Sequence, residues 1–523
     1  MTHQASHPFC NTLRALCLAL LGLSGFASQS FAQTTNWPVA TNLADLRQKL
    51  TAHVSQPRFE GAVWGIKAVS LETGVVLFEQ NPHKLLSPAS NSKLYTVALG
   101  LDRLGTEHRI RTSLYTQSRP STEGVLAGDL VVYGRGDPTF NARYHGSLSA
   151  SLQSLVAAVT NAGVKTIRGA LVGDKTFLRG PEYGSGWSWD DALEYYGAEL
   201  SSLTISDNYS DMTITPGGAL GEPAKVRFKP ATSCLILSNR TETVAAGERR
   251  TVRVFRPIDQ NIVYVTGRMP LGEPAFAAEA TFPEPAAVFL EYLREELSKA
   301  GVKIQGTNQI RDWEAVQANN SLAVSNLVEV AFVESPPMGV IAREIQKPSQ
   351  NLYTDLLLAY VGEQQRGTQT GTSEDLGITE LNRFLRKAGI KSDEVVFEEG
   401  SGLSRNNVCT ANSTATLLAY MARHPAAKAY EDALPVAGVD GTLRSRMKNT
   451  PAAGKLKAKT GTLRWANSLS GYVTSAAGER LAFSIMLNRY YNPAATTSAR
   501  SELDTVALLL TTFTGKSSET ASQ

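Results

Sequence analysis

Ser90 and Lys93 stand three positions apart in the run Leu86-Ser87-Pro88-Ala89-Ser90-Asn91-Ser92-Lys93-Leu94, and residues three apart on a helix share a face. A serine at a helix start also feels the positive end of the helix dipole. The lysine serves as its base only where burial or a nearby cation lowers the amine pKa. Two other patterns supply what acyl transfer to serine needs. Ser-x-Asn sets a hydroxyl that passes a proton beside an amide that holds a peptide backbone. Lys-Thr-Gly on a strand offers a cation and a hydroxyl to a carboxylate, and its glycine lets substrate lie against the strand edge.

Each pattern is common alone, so order and context choose among copies. The chain has two Ser-x-x-Lys sets, Ser90–Lys93 and Ser445–Lys448. Ser90 opens a helix directly after a hairpin, whereas Ser445 lies in a Gly-rich turn region, so Ser90 is preferred. Of Ser206–Asn208, Ser349–Asn351 and Ser404–Asn406, only Ser349 precedes a long apolar helix, which lets its hydroxyl point into a cleft. Ser206-Asp207-Asn208 reads as a plain turn and Ser404 as part of a Gly-Ser-Gly loop. Lys459-Thr460-Gly461 occurs once.

The elements that must position these groups follow from periodicity. Ala62–Ile66 and Val75–Phe78 flank a turn and read as a hairpin. A helix is expected from about Ser90 to Leu104. From 105 to 325 short strand-like runs dominate, interrupted by helices near 147–162 and 286–300. Helical texture returns after 326, over Asn351 to Val361, Leu376 to Ala388 and Ser413 to Arg423. A hairpin over Ser468–Val473 and Leu481–Met486 follows the Lys-Thr-Gly, and Asp504 to Phe513 closes the chain as an apolar helix. Ala-Gly-(Val/Ile)-Lys recurs at Ala162, Ala300 and Ala388, each time after a helix, with the glycine suited to a left-handed C-cap. No low-complexity linker divides the chain, so an inserted domain fits better than domains in a row.

The full set resembles the penicillin-recognising serine DD-peptidases. Within them it is similar to the low-molecular-mass class C penicillin-binding proteins, the D-alanyl-D-alanine carboxypeptidase/endopeptidases. The resemblance is carried by Pro88 to Lys93, Gly134-Arg135-Gly136-Asp137-Pro138-Thr139, Gly400-Ser401-Gly402-Leu403-Ser404-Arg405, Leu434 to Leu443 and Lys459-Thr460-Gly461-Thr462-Leu463. It implies an α+β fold, a β-lactamase-like peptidase domain whose antiparallel sheet is flanked by helices. A large, mostly β insertion would split that domain into 33–104 and 326–523, with the insertion at 105–325.

By the same resemblance Ser90 is the acylated nucleophile, Lys93 takes its proton, and Ser349 and Asn351 serve proton transfer and substrate holding. Lys459, Thr460 and Thr462 face the terminal carboxylate beside Gly461, and the N–H groups of Ser90 and Thr462 form the oxyanion hole. Asp174, Arg405 and Arg464 match residues that line the stem side-chain pocket of related enzymes. Arg464 departs from the Gln of the enterobacterial type. Arg135-Gly136-Asp137, an adhesion motif by spelling, reads as a structural loop. The expected partners are peptidoglycan stem peptides, with β-lactams as covalent inhibitors and no metal or other cofactor. The alternatives are a β-lactamase or esterase on this fold, or a penicillin-binding wall protein without turnover.

Composition agrees with an ordinary globular chain, not a disordered tail or a membrane bundle. The 523 residues are 42% hydrophobic and 19% charged, and 51 basic against 48 acidic residues give +3. That balance offers no footprint for nucleic acid and no polybasic membrane patch. Arg14, the apolar run Leu16 to Ala27 and Ser30-Phe31-Ala32 read as an export signal over 1–32, cleaved after Ala32, and place the mature enzyme in the periplasm without a transmembrane anchor. Cys234 and Cys409 are expected as two separate buried thiols. No HExxH or CxxC is present and the seven His are scattered.

Overall fold

A computed structural model describes residues 37–491 and 497–518; the expected export signal lies outside the described residues. The first hairpin and the last form one sheet. Its order is Lys457–Leu463, Ala466–Thr474, Arg480–Asn488, Val63–Ser70, Val76–Gln80, antiparallel throughout. The join is the ladder from Val63↔Asn488 to Ser70↔Leu481, which pairs segments separated by most of the chain. Strand Arg480–Asn488 is buried at every position after the first, so both sheet faces are covered. Helices Ala499–Thr511 and Leu43–Val54 pack together beside the sheet, and Ala411–Met421 lies against its central strands. Ser92–Leu104 and Asn351–Gln364 are buried along almost their whole length and share one apolar core with Ala411–Met421.

The segment after Leu104 builds its own layers. A mixed sheet runs Asn308–Arg311, Leu171–Asp174, Leu130–Tyr133, Arg111–Thr116, Val328–Glu334, and the same segment holds three three-stranded sheets. Helices Leu148–Asn161 and Pro285–Lys299 fill a separate core with these strands. The insertion runs further than the sequence texture implies. Val328–Glu334 pairs antiparallel with Arg111–Thr116, so it closes the inserted sheet, and the peptidase helices resume at Met338–Gln346. The boundary expected at 326 therefore moves past Glu334. This edge strand is only half buried, and it lies where the sequence texture is expected to turn helical.

The three Ala-Gly-(Val/Ile)-Lys runs do cap helices. Gly163, Gly301 and Gly389 have φ of 83°, 85° and 81°. In each, the glycine N–H and the following N–H return to carbonyls of the last turn, as Gly163→Thr160 and Val164→Val159 do. Cys234 and Cys409 are both free; Cys409 is buried and its thiol is pushed up to about 11 by burial, while Cys234 is only half buried. Arg135 donates to the Arg111 carbonyl and Ser113 Oγ and stacks on Tyr133, and Asp137 accepts from Thr139, so this loop is spent on internal contacts. No helix among the described residues is long and apolar enough to cross a membrane.

Candidate active site

Ser90 sits in a single 3-10 turn, Ala89–Asn91, and the α-helix proper begins at Ser92. The helix expected from Ser90 thus starts two residues late, because the chain reaches Ser90 through Ala89 at φ 47°. That left-handed conformation is uncommon for alanine, and three contacts hold the turn. Ser468 Oγ donates to the Pro88 carbonyl (2.6 Å), Asn91 Nδ2 donates to Ser470 Oγ (2.7 Å), and the Asn91 N–H returns to Pro88. Gly461 closes the fit. A Cβ there would stand 2.3 Å from the Pro88 carbonyl oxygen and 3.1 Å from the Ser90 nitrogen, so the Lys-Thr-Gly strand presses directly on the serine turn.

Lys93 is fully buried, with Nζ 3.0 Å from Ser90 Oγ, 2.6 Å from Asn351 Oδ1 and 2.6 Å from the Ser401 carbonyl. Burial pulls its pKa down to about 8, against the opposing charges of Asp355 and Glu399. Asn351 Nδ2 in turn donates to the Tyr196 carbonyl (2.8 Å), so the insertion touches the Ser-x-Asn directly. Ser349 adopts φ 68° two residues before its helix, and its Oγ accepts from Lys459 Nζ at 2.8 Å. Lys459 is also fully buried, and burial, with the charge of Lys93 added, holds its pKa well below the usual lysine range. Thr460 Oγ1 donates to Thr442 Oγ1 at 2.8 Å.

Behind Lys93 the Glu399–Gly402 strap is fixed by two buried carboxylates, which the sequence patterns do not reveal. Asp355 Oδ1 accepts from the N–H groups of Gly400 (3.0 Å) and Ser401 (2.9 Å), and Glu399 accepts from the N–H groups of Ser401 and Gly402 and from Asn407. The strap aims the Ser401 carbonyl at Lys93. Burial, then the Glu399 charge, pushes Asp355 well above the ordinary carboxyl range. Gly402 has φ 83°, and a Cβ would fall 2.0 Å from the Ala89 carbonyl oxygen. Gly402→Ala is therefore expected to lower Tm and to slow acylation at least about tenfold, since both strain and a backbone clash push on the serine turn. Stopped-flow acylation by a chromogenic β-lactam, with a melting curve, checks it.

These groups open into a cleft of about 780 Å³ lined by Ser90, Ser349, Asn351, Thr460 and Thr462 among others. Arg405 and Arg464 line it too, but Asp174 does not. Asp174 is 0% exposed at the end of its strand, accepting from Thr176 and paired with Arg311 at 3.4 Å. The acidic residue of the insertion that meets Arg405 is Asp191, at 3.8 Å and in the cleft wall. The run Trp187-Ser188-Trp189-Asp190-Asp191, dense in aromatics and acids, was the signal for it. Ser206, Asp207 and Asn208 form a turn with φ of 50°, 55° and 59°, and Asp207 is tied to Asn141, Arg143 and Tyr353. Ser404 bonds Glu398 within its own loop. Ser445 reaches the cleft, but it and Lys448 are both exposed, whereas Lys93 is fully buried.

Residues 46–509 match the model of the D-Ala-D-Ala carboxypeptidase 3 (S13) family. The chain belongs to that family. It is 34% identical over 498 residues to a D-alanyl-D-alanine carboxypeptidase of Actinomadura sp., covering 92% of this chain and 87% of the relative. It is 25% identical over 452 residues to the D-alanyl-D-alanine carboxypeptidase DacB of Haemophilus influenzae, covering 86% and 88%. The crystal structure of penicillin binding protein 4 from that organism superposes with a TM-score of 0.74 at 24% identity, over 89% of this chain and 97% of that one. The S13 family member described here is thus a serine-type D-Ala-D-Ala carboxypeptidase with an α+β fold, and it acts on peptidoglycan.

Proposed function

We propose that Ser90 is the nucleophile of a DD-peptidase that cleaves both D-Ala-D-Ala termini and D-Ala–diaminopimelate cross-links. The observation that carries the assignment is the fully buried Lys93 amine 3.0 Å from Ser90 Oγ. Ser90 Oγ attacks the carbonyl carbon of the penultimate D-Ala as its proton passes to Lys93. The oxygen takes the electron pair and faces the Ser90 and Thr462 N–H groups. The C–N bond then breaks, and the leaving amine receives a proton through Ser349, whose hydroxyl Lys459 replenishes. Water attacks the resulting ester and gives up a proton through Ser349 to Lys459, while Lys93 returns the proton it took to the departing Ser90 Oγ, so that both lysines and Ser90 are restored. Asn351 holds the substrate backbone and the Lys93 amine together. Lys459, Thr460 and Thr462, with Gly461 clearing the edge, receive the terminal carboxylate, whose arrival favours the protonated Lys459. A β-lactam offers the same carbonyl in a ring whose leaving group cannot diffuse away.

The enzyme is assigned to the periplasm on its N-terminal sequence. Purified protein incubated with a pentapeptide stem and with a cross-linked muropeptide tests the function: release of D-Ala and cleavage of the dimer support it, and rapid turnover of penicillin without either supports a β-lactamase instead. Arg405 and Asp191 carry the stem reading, since a diaminopimelate side chain presents an ammonium and a carboxylate to a carboxylate and a guanidinium. Arg405→Ala is expected to cut kcat/KM on diaminopimelate stems by about 10- to 150-fold and on lysine stems much less. Equal losses on both would make Arg405 a structural residue.

A further inference from the structure

We propose that Arg444, Arg464 and Arg500 form an anion subsite for the additional carboxylates of a cross-linked leaving stem. The inference rests on the DD-peptidase reading above and names which of its two substrates the cleft is built to prefer.

The cleft wall carries five arginines. Two of them are neutralised: Arg405 faces Asp191, and Arg446 pairs with Asp504 at 2.6 Å. Arg444, Arg464 and Arg500 are exposed and have no acidic partner among the described residues. Among the described residues, Asp191 is the one carboxylate of the cleft lining. Three guanidinium groups without acidic partners in one concave wall give it a positive potential that draws anions. Their positions follow the carboxylate-binding hydroxyls. Arg444 comes two residues after Thr442, which contacts Thr460, and Arg464 comes two residues after Thr462. Arg464 is held over the Trp465 ring, 5.6 Å from its centroid, and the Arg500 carbonyl accepts from Arg446 at 3.3 Å.

Leaving-group chemistry separates the two substrates. A carboxypeptidase step expels free D-Ala, whose single carboxylate is matched by Lys459, Thr460 and Thr462. An endopeptidase step expels a whole stem through its diaminopimelate amine. One carboxylate of that stem takes the D-Ala place, and the glutamate α-carboxylate and the stem's own C-terminus remain to be met. Cations set just beyond the terminal-carboxylate site supply that match, and they also steer a polyanionic substrate inward.

The readout is the ratio of kcat/KM for a D-Ala–diaminopimelate dimer to that for the pentapeptide monomer, on wild-type enzyme at low salt. Amidating the glutamate α-carboxylates of the dimer is expected to lower this ratio roughly fivefold, and so is raising the ionic strength, as exposed pairs are screened. An Arg444→Gln/Arg500→Gln variant is expected to lose about tenfold in the ratio and to become indifferent to amidation. A ratio unchanged by amidation in wild type, or an equal response in the variant, overturns the subsite. Wild-type enzyme that releases no D-Ala from the pentapeptide overturns the catalytic reading itself, a result distinct from an insensitive ratio.

Discussion

Ser90→Ala is expected to release D-Ala from a pentapeptide stem at least about ten-thousand-fold more slowly than wild type, because removing a nucleophile that acts as a unit with its base leaves only binding and oxyanion stabilisation. The fold should survive. Ser90 lies in a turn held by Pro88, Asn91, Ser468 and Ser470, and among the described residues its own hydroxyl meets only Lys93. Ser445→Ala is expected to stay within about twofold of wild type, the range of surface substitutions. Discontinuous chromatographic assay of released D-Ala distinguishes them. Wild-type activity in Ser90→Ala would remove the nucleophile assignment.

The second large effect belongs to Lys93. Lys93→Ala is expected to slow acylation by about a hundredfold or more, the scale of positioned acid–base catalysis. The pH profile follows from the sign of the shift. Burial lowers Lys93 to about 8, and the neutral amine is the base, so kcat/KM rises with pH through about 8 and falls as the amine protonates below it. Glu399→Gln removes one of the two carboxylates that oppose the lowering, so its midpoint moves to lower pH. Lys93→Arg keeps the charge and loses the titration, so its residual rate carries no rising limb. A wild-type profile flat from pH 6 to 9 would show that proton removal by Lys93 does not limit acylation.

Ser90, Lys93, Ser349 and Lys459 could be picked out as candidates because each belongs to a pattern closed within a few residues, and the helices that follow Ser90 and Ser349 are largely apolar. The scaffold behind them could not be. Asp355 meets the Gly400–Ser401 strap 45 residues away, and Ser401 meets Lys93 across 308, pairings that no local spacing encodes. Asp174 and Asp191 show the same limit. Both are acids of the insertion, and only the three-dimensional course of the chain buries one against Arg311 and leaves the other facing Arg405. Val328–Glu334 is half buried along its length, so its place in the inserted sheet is settled by pairing with Arg111–Thr116 and not by its own composition. Even the Ser90 turn carries a surprise, since alanine at positive φ is set by tertiary packing of Ser468 and Gly461 rather than by propensity.

The most direct test of the whole account is the site of acylation in the wild-type enzyme. Protein treated with benzylpenicillin, digested and sequenced by tandem mass spectrometry should carry one penicilloyl group, on Ser90, in a fragment containing Pro88-Ala89-Ser90-Asn91-Ser92-Lys93. An adduct on Ser445 or Ser349, or protein that takes up no penicillin while folded, would contradict it.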